Sequence, residues 1–311
     1  MWGMVIRIEA RRRAIAVGLA VLGLAASPLA AAADQFGAWG SAINVESLSG
    51  SGSQVNTAAN DGCPIESPNG LKLYIATNRA GGLGGIDIWI ASRPTLDVGF
   101  GNPVPLPAPI NSTADDFCPT PVPGRGLFFV STRAVAGACG GADIYFARYR
   151  PRVGWTRPRN LGCQVNGSAG EAGPSYFEAD GVGQLYFSSG PDIYVSTRQP
   201  DGTFGARTAV AELNTISADL RPNVRKDGLE IVFDSDRAGT TGGADLWFAT
   251  RASVSAPWSA PANAGPAVNT AASETRGSFS RDGSRLYFGR TPGPEGGTDI
   301  HLASRSKAND D

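Results

Sequence analysis

Short apolar runs recur along this chain in pairs, and each pair is bracketed by polar and glycine-rich residues. The first run of a pair reads LKLYIATNR (71–79), GLFFVSTR (126–133), QLYFSSG (184–190), EIVFDSDR (230–237) and RLYFGR (285–290). The second opens on aspartate: DIWIASR (87–93), DIYFARY (143–149), DIYVSTR (192–198), DLWFATR (245–251) and DIHLASR (299–305). Runs this short, rich in β-branched and aromatic residues and fenced by Gly, Asn, Asp and Pro, predict strands rather than helices.

An aromatic with small residues follows the second run, at Phe100, Trp155, Phe204 and Trp258. Each unit also holds an asparagine with an acid five residues on: Asn56/Asp61, Asn111/Asp116, Asn166/Glu171, Asn214/Asp219 and Asn269/Glu274. These asparagines stand 55, 55, 48 and 55 residues apart. The short interval has a visible cause, because unit three runs from Gly190 straight to Pro191-Asp192 without the glycine-rich link. A steady period of this kind marks a repeat architecture.

Each unit supplies four strands: one after the acid, the LYF-type run, the DIW-type run and the aromatic-led segment. Turns such as Asp227-Gly228 and Asp282-Gly283 join the first two. Four short antiparallel strands cannot bury both faces alone, and radial stacking does so. The expected fold is therefore all-β, a five-bladed β-propeller of four-stranded antiparallel blades. Unit five stops after Arg305 without a fourth strand, whereas Trp39-Gly40-Ser41-Ala42 resembles Trp258-Ser259-Ala260-Pro261. An N-terminal strand is thus expected to close the last blade.

Arg7, Arg11, Arg12 and Arg13 precede an uncharged apolar stretch (14–26), and Ala31 and Ala33 supply small residues before Asp34. This predicts a signal peptide over 1–33, a propeller over 34–306 and a short polar tail over 307–311. The apolar stretch falls short of the about 20 residues that span a bilayer, and no later segment is apolar enough to do so. A soluble monomer in the periplasm or outside the cell is expected. From Asp34 onward the chain is near neutral, with Lys72, Lys226 and Lys307 as its lysines. That argues against a nucleic-acid partner, which calls for a basic stripe.

Cys63, Cys118, Cys139 and Cys163 are even in number, which in an exported chain predicts two disulfides. Their spacing is not that of a structural zinc site. Cys139, in the link between the second and third strands of unit two, and Cys163, after its fourth strand, fall on one face and form the expected pair. Cys63 and Cys118 head adjacent innermost strands and are the second possible pair. Cys118 with Cys139 or Cys163, or free buried thiols, are the alternatives.

The order Asp-Gly, LYF-type run, arginine, Gly-Gly link, DIW-type run, arginine and aromatic resembles the PD40 repeat. This WD40-like unit occurs in the propeller of TolB and in many exported bacterial proteins. The resemblance covers the chain from Asp34 onward. Unit three departs from it, lacking the Gly-Gly link and its arginine, and unit two carries Gly124-Arg125 in place of Asp-Gly. The resemblance implies fold, export and a binding role, and it implies no reaction.

Candidate chemistry rests on carboxylates. The chain has one histidine, His301, at a position where other units carry Trp89, Tyr145, Tyr194 and Trp247, so it reads as a packing residue. No G-x-S-x-G elbow is present. The links before the first and third strands of a blade emerge on the same face. Asp61, Asp116, Glu171, Asp219 and Glu274 should therefore ring the channel mouth, where five like charges would attract a cation, an amine or a polyol. Asp87, Asp143, Asp192, Asp245 and Asp299 lie further out and read as structural, capping backbone N–H groups of the glycine-rich links. Nearby arginines such as Arg79, Arg133 and Arg237 offer partners to either set.

These features favour a non-catalytic binding or scaffold propeller of the cell envelope, engaging a protein partner or a glycan and needing no cofactor. The alternative is a five-bladed carbohydrate-active enzyme using inner-strand acids, and it requires two carboxylates that differ in environment. A third reading, a ring stabilised by a cation such as calcium, predicts that chelator lowers the melting temperature.

Overall fold

The computed structural model describes Met1 and residues 36–308 apart from Arg125 and Asp180. The signal peptide expected over 1–33 lies outside the described residues beyond Met1, as does the end of the polar tail. Five four-stranded antiparallel sheets form the molecule. Their innermost strands touch in sequence order, and the fifth returns to the first, so the ring closes.

Blade one comprises Asp61–Glu66, Lys72–Thr77, Asp87–Ser92 and Val104–Pro105. Blade two comprises Asp116–Val122, Gly126–Ser131, Asp143–Ala147 and Arg159–Asn160. A hairpin of Tyr149–Arg150 with Gly154–Trp155 interrupts blade two before its last strand. Blade three holds Glu171–Ala179, Val182–Ser189, Asp192–Thr197 and Thr208–Ala209. Blade four holds Asp219–Val224, Glu230–Ser235, Asp245–Thr250 and Ala262–Asn263. Blade five takes Ser273–Phe279, Arg285–Thr291 and Asp299–Ser304 from the end of the chain and Ile43–Asn44 from its start. Ile43 faces Leu302 and Asn44 faces His301 in the antiparallel pairing that completes this blade.

The middle strands are apolar on both faces because each blade is covered on both sides. Five clusters of buried side chains form the core, one at each seam between neighbouring blades. Phe129, Phe187, Phe233 and Phe288 occupy matching second-strand positions and are fully buried. Each such ring contributes about 2–3 kcal/mol through the apolar area it removes from water.

The repeated asparagine has an equally specific task. Asn111 accepts from the Ile88 N–H at 2.9 Å and donates to the Ile88 carbonyl at 2.9 Å, which extends the edge of the third strand through a side chain. Asn166 does so on Ile144, Asn214 on Ile193 and Asn269 on Leu246. Asn56 does so on Ile300 across the closure, latching the start of the chain to blade five. Asn111-Ser112-Thr113 and Asn166-Gly167-Ser168 match the N-glycosylation acceptor pattern, yet both amides are buried and hydrogen-bonded within the fold.

Every innermost strand carries a bulge near its third residue. Cys63, Cys118, Gly173, Arg221 and Arg276 hold φ values of 46, 46, 56, 49 and 59° there. Such a kink re-aims the side chain and tightens the turn toward the axis. At Gly173 the approach is closest, since a Cβ would lie 2.5 Å from the Cα of Arg221.

Candidate functional site

The five inner acids sit where the repeat put them, at the head of the innermost strands, and all are almost fully buried. Asp61 pairs with Arg79 at 2.6 Å, Asp116 with Arg133 at 2.5 Å, and Glu274 with Arg290 at 2.7 Å. Asp219 pairs with Arg237. Each acid also accepts from the residue after the repeated asparagine. Thr57, Ser112, Thr215 and Thr270 give both a backbone N–H and a hydroxyl, whereas Gly167 gives only its N–H. A buried carboxylate needs such partners to stay charged. The mouth is therefore a ring of ion pairs and not the open ring of like charges expected from the repeat.

Glu171 differs from its four counterparts. Blade three has no arginine at the end of its second strand, so Arg207 reaches in from the segment before its fourth strand and meets Glu171 at 3.0 Å. With glycine in place of Ser or Thr at 167, one hydroxyl donor is missing, and Ser189 donates at 2.9 Å instead. Oε2 of Glu171 is buried without a partner. Burial pushes this carboxyl up to about 7 and the nearby Asp143 adds to the rise, against the hydrogen bonds of Ser189 and Gly167 and the charge of Arg207. In the sequence this difference stands as glycine at 167 and the missing arginine of unit three.

The outer acids cap the links. Asp87 accepts from the Leu83 and Gly84 N–H groups at 2.6 and 2.9 Å, and a Cβ on Gly82 would fall 2.0 Å from its oxygen, which explains the glycines. Asp143, Asp245 and Asp299 accept in the same way from Cys139, Thr241 and Glu295. Their Oδ1 atoms, like that of Asp87, are buried without a protein partner. Asp192, after the shortened link, is half-buried.

Around the axis the bulge residues line a narrow space of about 30 Å³, room for about one water molecule. A disulfide joins Cys63 to Cys118 across it, with Cα atoms 4.9 Å apart. Arg221 grips Asp234 through both carboxylate oxygens, at 3.0 Å from Nε and 2.5 Å from Nη2. Arg276 has no carboxylate of its own, and burial together with the charge of Arg221 lowers it to about 10 while Asp234 opposes. A second disulfide, Cys139–Cys163 with Cα atoms 5.5 Å apart, ties the link of blade two to the segment after its fourth strand.

His301 is buried, stacked on Phe288 at 5.9 Å, and burial lowers its pKa, so it serves as a neutral packing ring. A carboxyl pair that the repeat pattern did not reveal lies on the mouth face at the closure. Glu46 accepts from the Val55 and Asn56 N–H groups at 2.7 and 3.0 Å. Beside it Glu295 is raised to about 7, first by burial and then by its hydrogen bond to Glu46 and the charges of Glu46, Asp299 and Asp61. Among the described residues no group of three or more His, Cys, Asp or Glu is arranged to hold a metal ion. No helix among them is long and apolar enough to cross a membrane.

No protein-family model and no curated protein matches the chain. Solved structures do. A xylan β-1,4-xylosidase from Bacillus halodurans is 17% identical with a TM-score of 0.53, over 82% of this chain and 54% of that one. A mutant form of the GH43 protein BlXynB from Bacillus licheniformis is 14% identical with a TM-score of 0.54, over 86% and 57%. An α-L-arabinofuranosidase from Lactobacillus brevis is 13% identical with a TM-score of 0.51, over 79% and 90%. The chain thus spans just over half the length of the first two. At such identities the likeness is one of fold. It nonetheless corrects three expectations, because these solved structures are a xylosidase, a GH43 protein and an arabinofuranosidase and not PD40 or TolB-like proteins. The PD40 resemblance, the non-catalytic scaffold reading and the absence of enzymatic activity do not stand against these neighbours. A short-period motif in tight-turned blades follows from propeller geometry as well as from ancestry, which is why the motif misled.

Proposed function

We propose that the chain is an extracytoplasmic carbohydrate-active enzyme that cleaves glycosidic bonds at the mouth face, with Glu171 as proton donor. The observation that carries this reading is the broken equivalence of the inner acids. All five accept from an arginine and a hydroxyl, yet among the described inner acids Glu171 alone keeps an unpartnered oxygen, together with a proton near neutral pH. Glycoside cleavage uses a carboxylic acid to protonate the leaving oxygen and a second carboxylate as base or nucleophile. Asp143, whose charge acts on Glu171 and whose Oδ1 is unpartnered, is the candidate for the second role. Blade three has a shortened link, and the Arg207 side chain that pairs with the buried Glu171 is 28% exposed. Substrate entry displaces that flexible arm. The fold neighbours named for xylan and arabinose-containing substrates support the substrate class, and two disulfides fit an oxidising compartment.

The test is release of reducing sugar from xylan, arabinan and polygalacturonan, and of nitrophenol from aryl glycosides, by the full chain. Glu171→Gln should lower kcat at least about 100-fold, with an unchanged unfolding midpoint at pH 4, whereas Glu295→Gln should retain activity. An inactive wild-type protein across this panel sinks the reading, and a fully active Glu171→Gln protein removes Glu171 from it.

A further inference from the structure

At three seams the arginine ending the third strand is buried between blades on the face opposite the mouth. Arg93 lies 4.3 Å over Phe100 and bonds Glu66, Arg251 lies 4.2 Å over Trp258, and Arg305 lies 4.0 Å over Phe36 and bonds Glu230. The side chains of these arginines donate to the carbonyls of Gly70, Gly228 and Gly283 in the turns of their own blades. Blade two has Tyr149 at this position, 56% exposed. In blade three Arg198 is present, yet it makes no such side-chain bond and stays half-buried.

The seam between blades two and three is open as a result. A cleft of about 680 Å³ lies there, within the size range of ligand sites. Among the described residues that line it, Arg148, Arg150, Arg157, Arg159 and Arg198 stand with one carboxylate, Asp201, and Glu178 bonds the lining Tyr176. None of the five arginines forms a salt bridge among the described residues, although the chain as a whole has a net charge of −1. Asp201 is held below the usual carboxylate range, first by its bonds to Thr203 and further by Arg159. The wall is aromatic, with the buried Phe128 tilted against Phe146 at 4.6 Å and edge-on to Phe204 at 5.8 Å, and the exposed Tyr149 at the rim is the ring open to a ligand.

We infer that this cleft binds an acidic glycan, a sugar chain bearing carboxylate or sulfate groups. Guanidinium forks match such oxyanions in bidentate geometry, and aromatic faces accept the flat apolar side of a sugar ring. The anionic part stands on the arginines alone. The glycan part rests on the extracytoplasmic, carbohydrate-active reading above. The cleft lies at the far end of the blade from Glu171, because turns between first and second strands and links between third and fourth emerge opposite the mouth.

Equilibrium binding of the full chain to an oligogalacturonate, a sulfated dextran oligomer, a neutral arabino-oligosaccharide and a single-stranded oligonucleotide tests this. At least one acidic saccharide should bind more tightly than the neutral one and the oligonucleotide, and the comparison of the two acids identifies carboxylate or sulfate as the favoured group. Arg157→Ser with Arg159→Ser should weaken that binding about tenfold or more and flatten its salt dependence. The matching double lysine variant should restore the salt dependence but only part of the affinity. Glu171→Gln should bind as the wild type does, whatever happens to cleavage, so the two sites can fail separately. Equal binding of the oligonucleotide, equal binding of the neutral sugar, no binding of either acid, or a double serine variant that binds normally would each overturn the assignment.

Discussion

The two faces of the ring handle charge in opposite ways. On the mouth face each inner acid is matched by an arginine from its own blade, and the outer acids cap backbone N–H groups of the links. On the opposite face, between blades two and three, five arginines share a cleft with one aspartate among the described lining residues. The first arrangement recurs in every blade and the second in one. Charge written into every repeat serves the scaffold, because a buried unpaired carboxylate would cost several kcal/mol in each of five places. Charge available to a ligand collects where the repeat fails. Both irregular acids and irregular arginines fall in the same sector, where blade three lacks its glycine-rich link and blade two lacks its closing arginine.

Removing one partner from the paired face should produce the largest effect. Arg237→Met leaves Asp219 fully buried without its main counter-charge and should cost about 3–5 kcal/mol in urea unfolding. Arg157→Ser, an exposed residue in the cleft, should stay within about 0.5 kcal/mol. Similar losses for the two variants would erase the distinction between the faces. Next in size is the staple of the irregular sector. Replacing Cys139 and Cys163 together by serine opens a loop with a sequence separation of 24, and a loss of about 3 kcal/mol is expected from the chain entropy released. An unchanged midpoint under oxidising conditions would mean that the bridge constrains nothing in the unfolded chain.

The scaffold was legible in the sequence to an unusual depth, and for a physical reason. Strand pairing of period two, tight turns and a repeated asparagine latch leave marks every 55 residues or so, and the N-terminal Trp39 segment betrayed the closure that Ile43–Asn44 makes. The candidate site was less legible because it depends on differences between units. Glycine at 167 is one atom-poor residue among many, and its effect on Glu171 appears only when Arg207 is brought in from elsewhere. The carboxyl pair Glu46 and Glu295 joins residues from opposite ends of the chain. The axial group of Arg221, Arg276 and a disulfide could not be foreseen, since the bulges that turn those side chains inward are backbone events.

An effect that depends on pH sharpens the contrast within the acid ring itself. Glu171 carries a folded-state pKa of about 7 against an ordinary value of 4.5. Between those values the folded chain holds a proton that the unfolded chain has lost. Its contribution to stability is therefore complete below pH 4.5 and declines as pH rises toward 7, beyond which the contribution is constant. Glu171→Gln keeps the neutral shape and cannot ionise, so this part of the decline should vanish. The variant should match the wild type near pH 4 and gain on it steadily up to neutrality. Asp116→Asn should instead lose the charged bond to Arg133 and be destabilised. Parallel stability curves for wild type and Glu171→Gln would return Glu171 to the paired ring with its four counterparts.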